Sequence, residues 1–232
     1  MDARAEVLGR IRKAVGGASD AAAVRAEWAA IPRAYTRTAK LGREEILELL
    51  EDRLRDYDAH VVRCRPGEVS GALAAMLAER GKRRFVVPAG IEGWLGEALP
   101  AVYVPPIVKD TMDGAPRRFE FVTDEGMTAA EMDGFEGVVT GCSVAIAETG
   151  TIVLQVVPGQ GRRAITLIPD YYLCVVRAGD VVETVPEAMA RLALTAGVAT
   201  TFISGPSATA DIEMTRIKGV HGPRFLDVIL VA

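Results

Sequence analysis

Between Val138 and Val157 the chain carries a single charged residue, Glu148, in an otherwise uncharged and largely apolar stretch. Such a run is either a membrane span or a pair of buried strands. Gly141 and Gly150 interrupt it, β-branched residues dominate it, and Pro158-Gly159 ends it. An acid at the centre of a span would cost roughly 2.5–3.5 kcal/mol. The run therefore predicts two short buried strands joined by a turn that holds Glu148. Strands without a polar face need cover on both sides, and the rest of the chain must supply it.

The cover is legible as helices. Gly42–Tyr57 places Ile46, Leu47, Leu50, Leu54 and Tyr57 on one face, with Glu44, Glu48, Glu51 and Arg55 outside it. Before it, Asp2–Val15 reads as a helix, Gly16-Gly17 as a break, and Ser19 as the N-cap of a helix over Asp20–Ala30. From His60 onward the period changes. Strands are predicted at His60–Cys64, Arg84–Val87, Ala101–Val104, Gly137–Thr140, Thr151–Val157, Leu173–Val176, Thr200–Ser204 and Arg224–Val231. Helices are predicted at Glu68–Arg80, Ile91–Ala98, Thr128–Met132 and Pro186–Ala196, while Pro105–Glu125 reads as loop or irregular edge. The alternation predicts an α/β fold with a mostly parallel sheet covered on both faces. It occupies 59–232, with 1–58 as an N-terminal helical extension.

Composition removes several function classes. Lys and Arg number 27 against 31 Asp and Glu, a formal charge of −4, which argues against non-specific nucleic-acid binding. With 50% hydrophobic residues the chain is not disordered. Cys64, Cys142 and Cys174 are far apart, and with only His60 and His221 they offer no zinc or iron–sulfur ligand spacing. No intrinsic cofactor is expected. The N-terminus lacks the continuous apolar core of a signal peptide, so a cytoplasmic protein without a membrane span is expected.

Four constellations carry chemistry. Ala147-Glu148-Thr149-Gly150-Thr151 sets a carboxylate beside two hydroxyls and a glycine that permits a sharp turn. A Glu in an apolar run must be paired, hydrogen-bonded or protonated; it is either functional or the cap of a turn. Pro158-Gly159-Gln160-Gly161-Arg162-Arg163-Ala164 matches G-x-G-x-x-A weakly. Its two arginines suit a carboxylate or phosphate better than a dinucleotide, and an exposed basic hairpin is the alternative. Ser204–Glu213 follows an apolar strand, at whose carboxyl end ligands bind in open α/β sheets. It offers Ser207, Thr209 and Asp211, any hydroxyl of which could instead cap a helix. Gly219-Val220-His221-Gly222-Pro223 places a histidine between glycines, as a general acid–base or as a structural turn residue.

Three runs together resemble the LUD-domain family, most closely its lactate-utilisation C branch. They are Gly141–Leu154 (GCSVAIAETGTIVL), Gly161–Val176 (GRRAITLIPDYYLCVV) and Ile203–Val231 (ISGPSATADIEMTRIKGVHGPRFLDVILV). The resemblance implies the NagB/RpiA/CoA-transferase-like fold, a three-layer α/β/α domain. It also implies a role in oxidising L-lactate to pyruvate beside iron–sulfur partner subunits, which would hold the clusters. Glu148-Thr149-Gly150 further looks like the turn bearing the nucleophilic Glu of class I CoA-transferases.

Residue chemistry suggests one pocket for a small carboxylate. His221 would be the base and Glu148 a second catalytic group, with Thr149, Gly150, Arg162, Arg163, Ser207, Thr209 and Asp211 binding substrate. The alternatives are an independent CoA or phospho-sugar enzyme using Glu148, and a non-catalytic assembly module.

Overall fold

The computed structural model describes residues 3–16, 20–95, 108–109, 116–117, 119–210, 216–219 and 221–232, without the side chains of 108–109, 116–117, 209–210 and 216–218. Contacts divide the chain into Met1–Thr36 and Arg37–Ala232. The first unit holds α1 (Ala3–Ala14) and α2 (Ala21–Ala30), neither of which has a buried residue. Asp20, not Ser19, caps α2: its carboxylate accepts the N–H of Ala22 at 3.0 Å. Ser19 lies outside the described residues, as does the strand expected at Ala101–Val104.

The second unit opens with α3 (Arg43–Asp56), where Glu45 reaches back to the Gly42 N–H at 2.7 Å. Ile46, Leu47, Leu50 and Leu54 are buried, as their spacing predicts. They enter the same core as the sheet, so the compact unit begins earlier than the expected 58/59 boundary. The remaining elements, in chain order, are β1 (His60–Cys64), α4 (Val69–Glu79), β2 (Arg84–Val87), α5 (Glu92–Leu95), β3 (Val108–Lys109), β4 (Pro116–Arg117), β5 (Glu120–Thr123), α6 (Ala129–Asp133), β6 (Gly137–Thr140), β7 (Val144–Ile146), β8 (Thr151–Gln155), β9 (Tyr171–Arg177), β10 (Val181–Val182), α7 (Val185–Leu192), β11 (Thr200–Ile203), β12 (Ala208–Ala210), β13 (Arg216–Lys218) and β14 (Phe225–Val231).

Six strands form a parallel sheet in the order β1-β14-β9-β6-β2-β5. Period-two alternation divides its side chains between two cores. Tyr172, Cys174, Val176, Leu226, Val228 and Leu230 pack with α3 on one face. Tyr171, Leu173, Val175 and Ile229 pack with Val69, Leu73 and Leu77 of α4 on the other. The result is a three-layer α/β arrangement. The segment expected to be loop or irregular edge contributes β5, the sheet's outer strand.

A second sheet, β10-β7-β8-β11, shares the α3 face. The apolar run from Val138 to Val157 supplies its β7–β8 hairpin, whose strand residues are buried. This sheet is mixed: β10 runs parallel to β7, and β8 antiparallel to both β7 and β11. It carries the Ser204 loop in a direction that a single parallel sheet would not.

On the α4 side, Asp227 of β14 is fully buried and anchors a network. Arg80 grips both of its oxygens, at 3.1 and 2.6 Å, and the Tyr171 hydroxyl donates to it at 2.9 Å. A buried carboxylate is tolerated only with such partners.

Candidate functional site

The Ser204 loop begins at the carboxyl end of β11 and lands at the amino ends of β9 and β14. There it encloses a cavity of about 240 Å³, with Tyr172 and Leu226 in its wall. The expectation that this loop opens from a strand end holds, but the strand belongs to the second sheet. Arg163, Thr166, Ser204, Ser207 and His221 line the same cavity. The volume lies below the roughly 300–1,000 Å³ typical of sites for drug-sized ligands, which suits a small molecule.

Ser207 ties the loops together. Its N–H donates to Pro223 O at 2.8 Å, its carbonyl accepts from Gly219 N at 2.9 Å, and its Oγ accepts from the His221 N–H at 3.1 Å. Among the described residues the Ser207 hydroxyl donates no hydrogen bond, so its proton stays available to a ligand. Behind this turn Arg224 holds both oxygens of Asp170, at 2.6 and 2.8 Å, and keeps that carboxyl below its usual range. The exposed His221 is thereby mounted on a braced turn.

The two adjacent arginines part company. Arg162 donates to both Asp124 oxygens, at 2.6 and 2.8 Å, and to Met127 O at 2.5 Å. It latches its loop to the β5–α6 connection and does not line the cavity. Arg163 does line it. Among the described residues its hydrogen bonds, to Thr166 O at 3.0 Å and Oγ1 at 2.9 Å, both come from Nη1. Partial burial lowers its pKa from the ordinary arginine value, with the Tyr172 phenol acting in the opposite sense. Arginine remains cationic at any ordinary pH, so Nε and Nη2 are left to meet an anion.

Glu148 is exposed rather than buried, because it sits at the tip of the β7–β8 hairpin. Its carboxylate accepts the Val185 N–H at 2.9 Å, at the first turn of α7. That is the capping alternative, and Glu148 is not among the residues lining the cavity. Thr149 reaches the cavity only through hydroxyls: its Oγ1 lies 2.7 Å from that of Thr151, which lies 2.8 Å from Ser204 Oγ. Gly150 has φ +57, and a Cβ there would sit 2.9 Å from the Arg53 backbone, so it serves the packing of the hairpin on α3. Thr209 pairs with Ile217 in the β12–β13 ribbon, and Asp211 lies outside the described residues.

The glycine-rich loop also has a packing reason. Gly159, at φ +80, would drive a Cβ to 2.1 Å from the Trp94 ring, and Gly141 would do the same from the other loop. Gly159 N–H bonds Ala89 O at 2.8 Å and its carbonyl accepts from Gly141 N at 2.9 Å. The loop thus closes over the carboxyl ends of β2 and β6.

Sequence reasoning missed Thr166 and Tyr172, and marked Ser204 only as the start of its loop. Tyr172 is 2% exposed, and its hydroxyl meets Thr140 Oγ1 at 2.8 Å. Burial pushes this phenol well above its usual range, which keeps it neutral. The Tyr171-Tyr172 pair at a strand start was the available signal, since neighbours in a strand face opposite cores. Among the described residues no group of three or more His, Cys, Asp and Glu could hold a metal ion.

The LUD domain family model matches residues 47–231, from within α3 to the last residue of β14. This chain belongs to the LUD-domain family. A lactate utilization protein C from Deinococcus radiodurans is 40% identical to it over 99% of this chain and 96% of the relative. One from Bacillus pumilus is 30% identical over 79% of this chain and 77% of the relative. The crystal structure of a DUF162-family protein from Deinococcus radiodurans superposes with a TM-score of 0.63. It is 38% identical and covers 83% of this chain and 99% of its own. The LUD domain therefore comprises α3, both sheets and the cavity between their loops.

Proposed function

We propose that this LUD domain works in lactate utilisation, as a subunit of a complex that oxidises L-lactate to pyruvate with iron–sulfur partner subunits. The observation that carries this reading is the convergence of Arg163, Ser207 and His221 on one small cavity. The similarity to proteins named lactate utilization protein C supplies the pathway. In this reading Arg163 binds the carboxylate of lactate through Nε and Nη2, and the Ser207 hydroxyl orients it. His221 accepts the proton of the C2 hydroxyl as C2 becomes a carbonyl. The C2 hydrogen would leave as a second proton, and the two electrons would pass singly to iron–sulfur clusters of the partner chains, which would supply the redox chemistry.

Calorimetry with oxamate, an unreactive carboxylate of lactate's size, tests binding in the chain alone. Arg163→Ala weakens oxamate at least tenfold, while His221→Ala leaves its affinity within about twofold. In the complex reconstituted with its partners, His221→Ala lowers kcat for lactate about a hundredfold or more. Oxamate binding indifferent to Arg163→Ala would remove the cavity from the reaction, and lactate oxidation indifferent to His221→Ala would remove the base.

The assembly reading is supported by a separate observation. Val7, Ile11 and Trp28 on α1 and α2 are 53%, 52% and 68% exposed. In this reading those faces dock partner subunits, and the two roles coexist in one complex. Changing Ile11 and Trp28 to Gln would then abolish co-purification of the partners while oxamate affinity stays unchanged. No helix among the described residues is long and apolar enough to cross a membrane.

A further inference from the structure

A second, larger cavity lies at the opposite end of the parallel sheet. Its walls come from the carboxyl ends of β1, β9 and β14, the start of α4 and the end of α5. It measures about 770 Å³, more than three times the cavity at the amino ends. Val69, Leu95, Val231 and Trp94 make its described wall predominantly apolar. Among the described lining residues Arg177 has the one charged side chain and none is acidic; the half-buried Asp180 carboxylate lies near enough to feel the Arg177 charge.

Arg177 is held in place by the protein. Its guanidinium carbon lies 4.5 Å from the centre of the Trp94 ring, and Nη2 donates to the carbonyls of Gly93 and Trp94, at 2.5 and 2.9 Å. Nε and Nη1 have no hydrogen-bond partner among the described residues. Trp94 cannot swing away, because the Gly141 and Gly159 loops abut it. The arrangement is a pre-ordered cation at the rim of an apolar chamber, at the strand ends where open α/β sheets collect ligands.

We infer that this cavity binds an amphipathic monoanion, a single carboxylate on an apolar body larger than that of lactate. The carboxylate meets Arg177, and the body fills the space between Val69, Leu95 and Val231. The inference stands apart from the proposed role of the amino-end cavity, since the two share no lining residue among those described.

The chain has two tryptophans, so Trp28→Phe in the full-length protein makes Trp94 the sole reporter. Titration with decanoate, followed by Trp94 emission and by calorimetry, gives saturable binding of one equivalent. Decanol, which lacks the charge, and acetate, which lacks the body, bind at least tenfold more weakly. Arg177→Gln weakens decanoate at least tenfold and leaves decanol within about twofold. Ser70→Phe, which fills the chamber beside α4, abolishes binding of both. Arg163→Ala changes none of these values. The inference is overturned if decanoate binds without saturation, binds Arg177→Gln as well as the parent, or is displaced by oxamate. Loss of decanoate binding in Arg163→Ala would likewise overturn it, by placing decanoate in the other cavity.

Discussion

The two ends of the parallel sheet are built by different rules. At the carboxyl end, the connections that follow β1, β2 and β9 and the end of β14 line a wide apolar chamber, and the glycine-rich loop closes around Trp94. At the amino end, a loop delivered by the antiparallel strand β11 brings polar groups over the starts of β9 and β14. The difference teaches that sheet direction locates a crevice, whereas a second sheet can carry the polar residues to the other end. Arg162 and Arg163 show the same division one peptide apart: the first is spent on Asp124, the second is left facing the small cavity.

The largest effect is expected at Asp227, which serves the whole sheet. Asp227→Ala strands the half-buried Arg80 and the Tyr171 hydroxyl, at a cost of about 3–5 kcal/mol. Urea unfolding should show this loss, and both cavities should lose their ligands together as the protein unfolds. If only one did, the two ends would not share a cooperative core.

Gly159→Ala separates the ends. The forced φ and the clash with Trp94 together cost about 2–4 kcal/mol. The folded fraction should retain oxamate affinity and show altered Trp94 emission. Altered oxamate affinity would mean that the glycine loop couples the two ends.

Arg162→Ala should cost about 1–2 kcal/mol by leaving the Asp124 carboxylate without its partner, with oxamate binding unchanged. The same pair sets an acid response. The Arg162 guanidinium holds Asp124 below its usual carboxylate range, as Arg224 does for Asp170. Each folded pKa is depressed, so each contribution is full above the unfolded value near pH 4 and lost as pH falls through the folded value. Unfolding free energy should therefore fall progressively below about pH 5, and less steeply in Asp124→Asn. An unchanged slope in that variant would show that Asp124 is not one of the groups responsible.

The smallest effect is expected at Glu148. The amide oxygen of Glu148→Gln still accepts the Val185 N–H, so stability should change by no more than about 0.5 kcal/mol and oxamate affinity not at all. A large loss of lactate oxidation in the reconstituted complex would instead return Glu148 to the chemistry.

Much of the fold was legible in the sequence. The α3 face and the parallel strands follow from the spacing of apolar residues, because period 3.6 and period 2 are local properties. Glu148 is legible as the turn residue of two buried strands, but not as an exposed one. Isolation along the chain says nothing about where a hairpin tip projects. Ser207 and His221 were readable as reactive types on loops, yet the hydrogen bond joining them spans residues distant in sequence.

By itself, then, the sequence determined the element types, the apolar faces and the membership of the LUD family, which three contiguous runs carry. Tertiary structure alone decided which of two neighbouring arginines lines the small cavity. Asp124 lies thirty-eight residues from Arg162, and only the closing of β5 and α6 against the glycine loop brings the pair together. It also decided at which end of the sheet the polar loops meet, because strand direction in the second sheet depends on long-range pairing that no local pattern encodes.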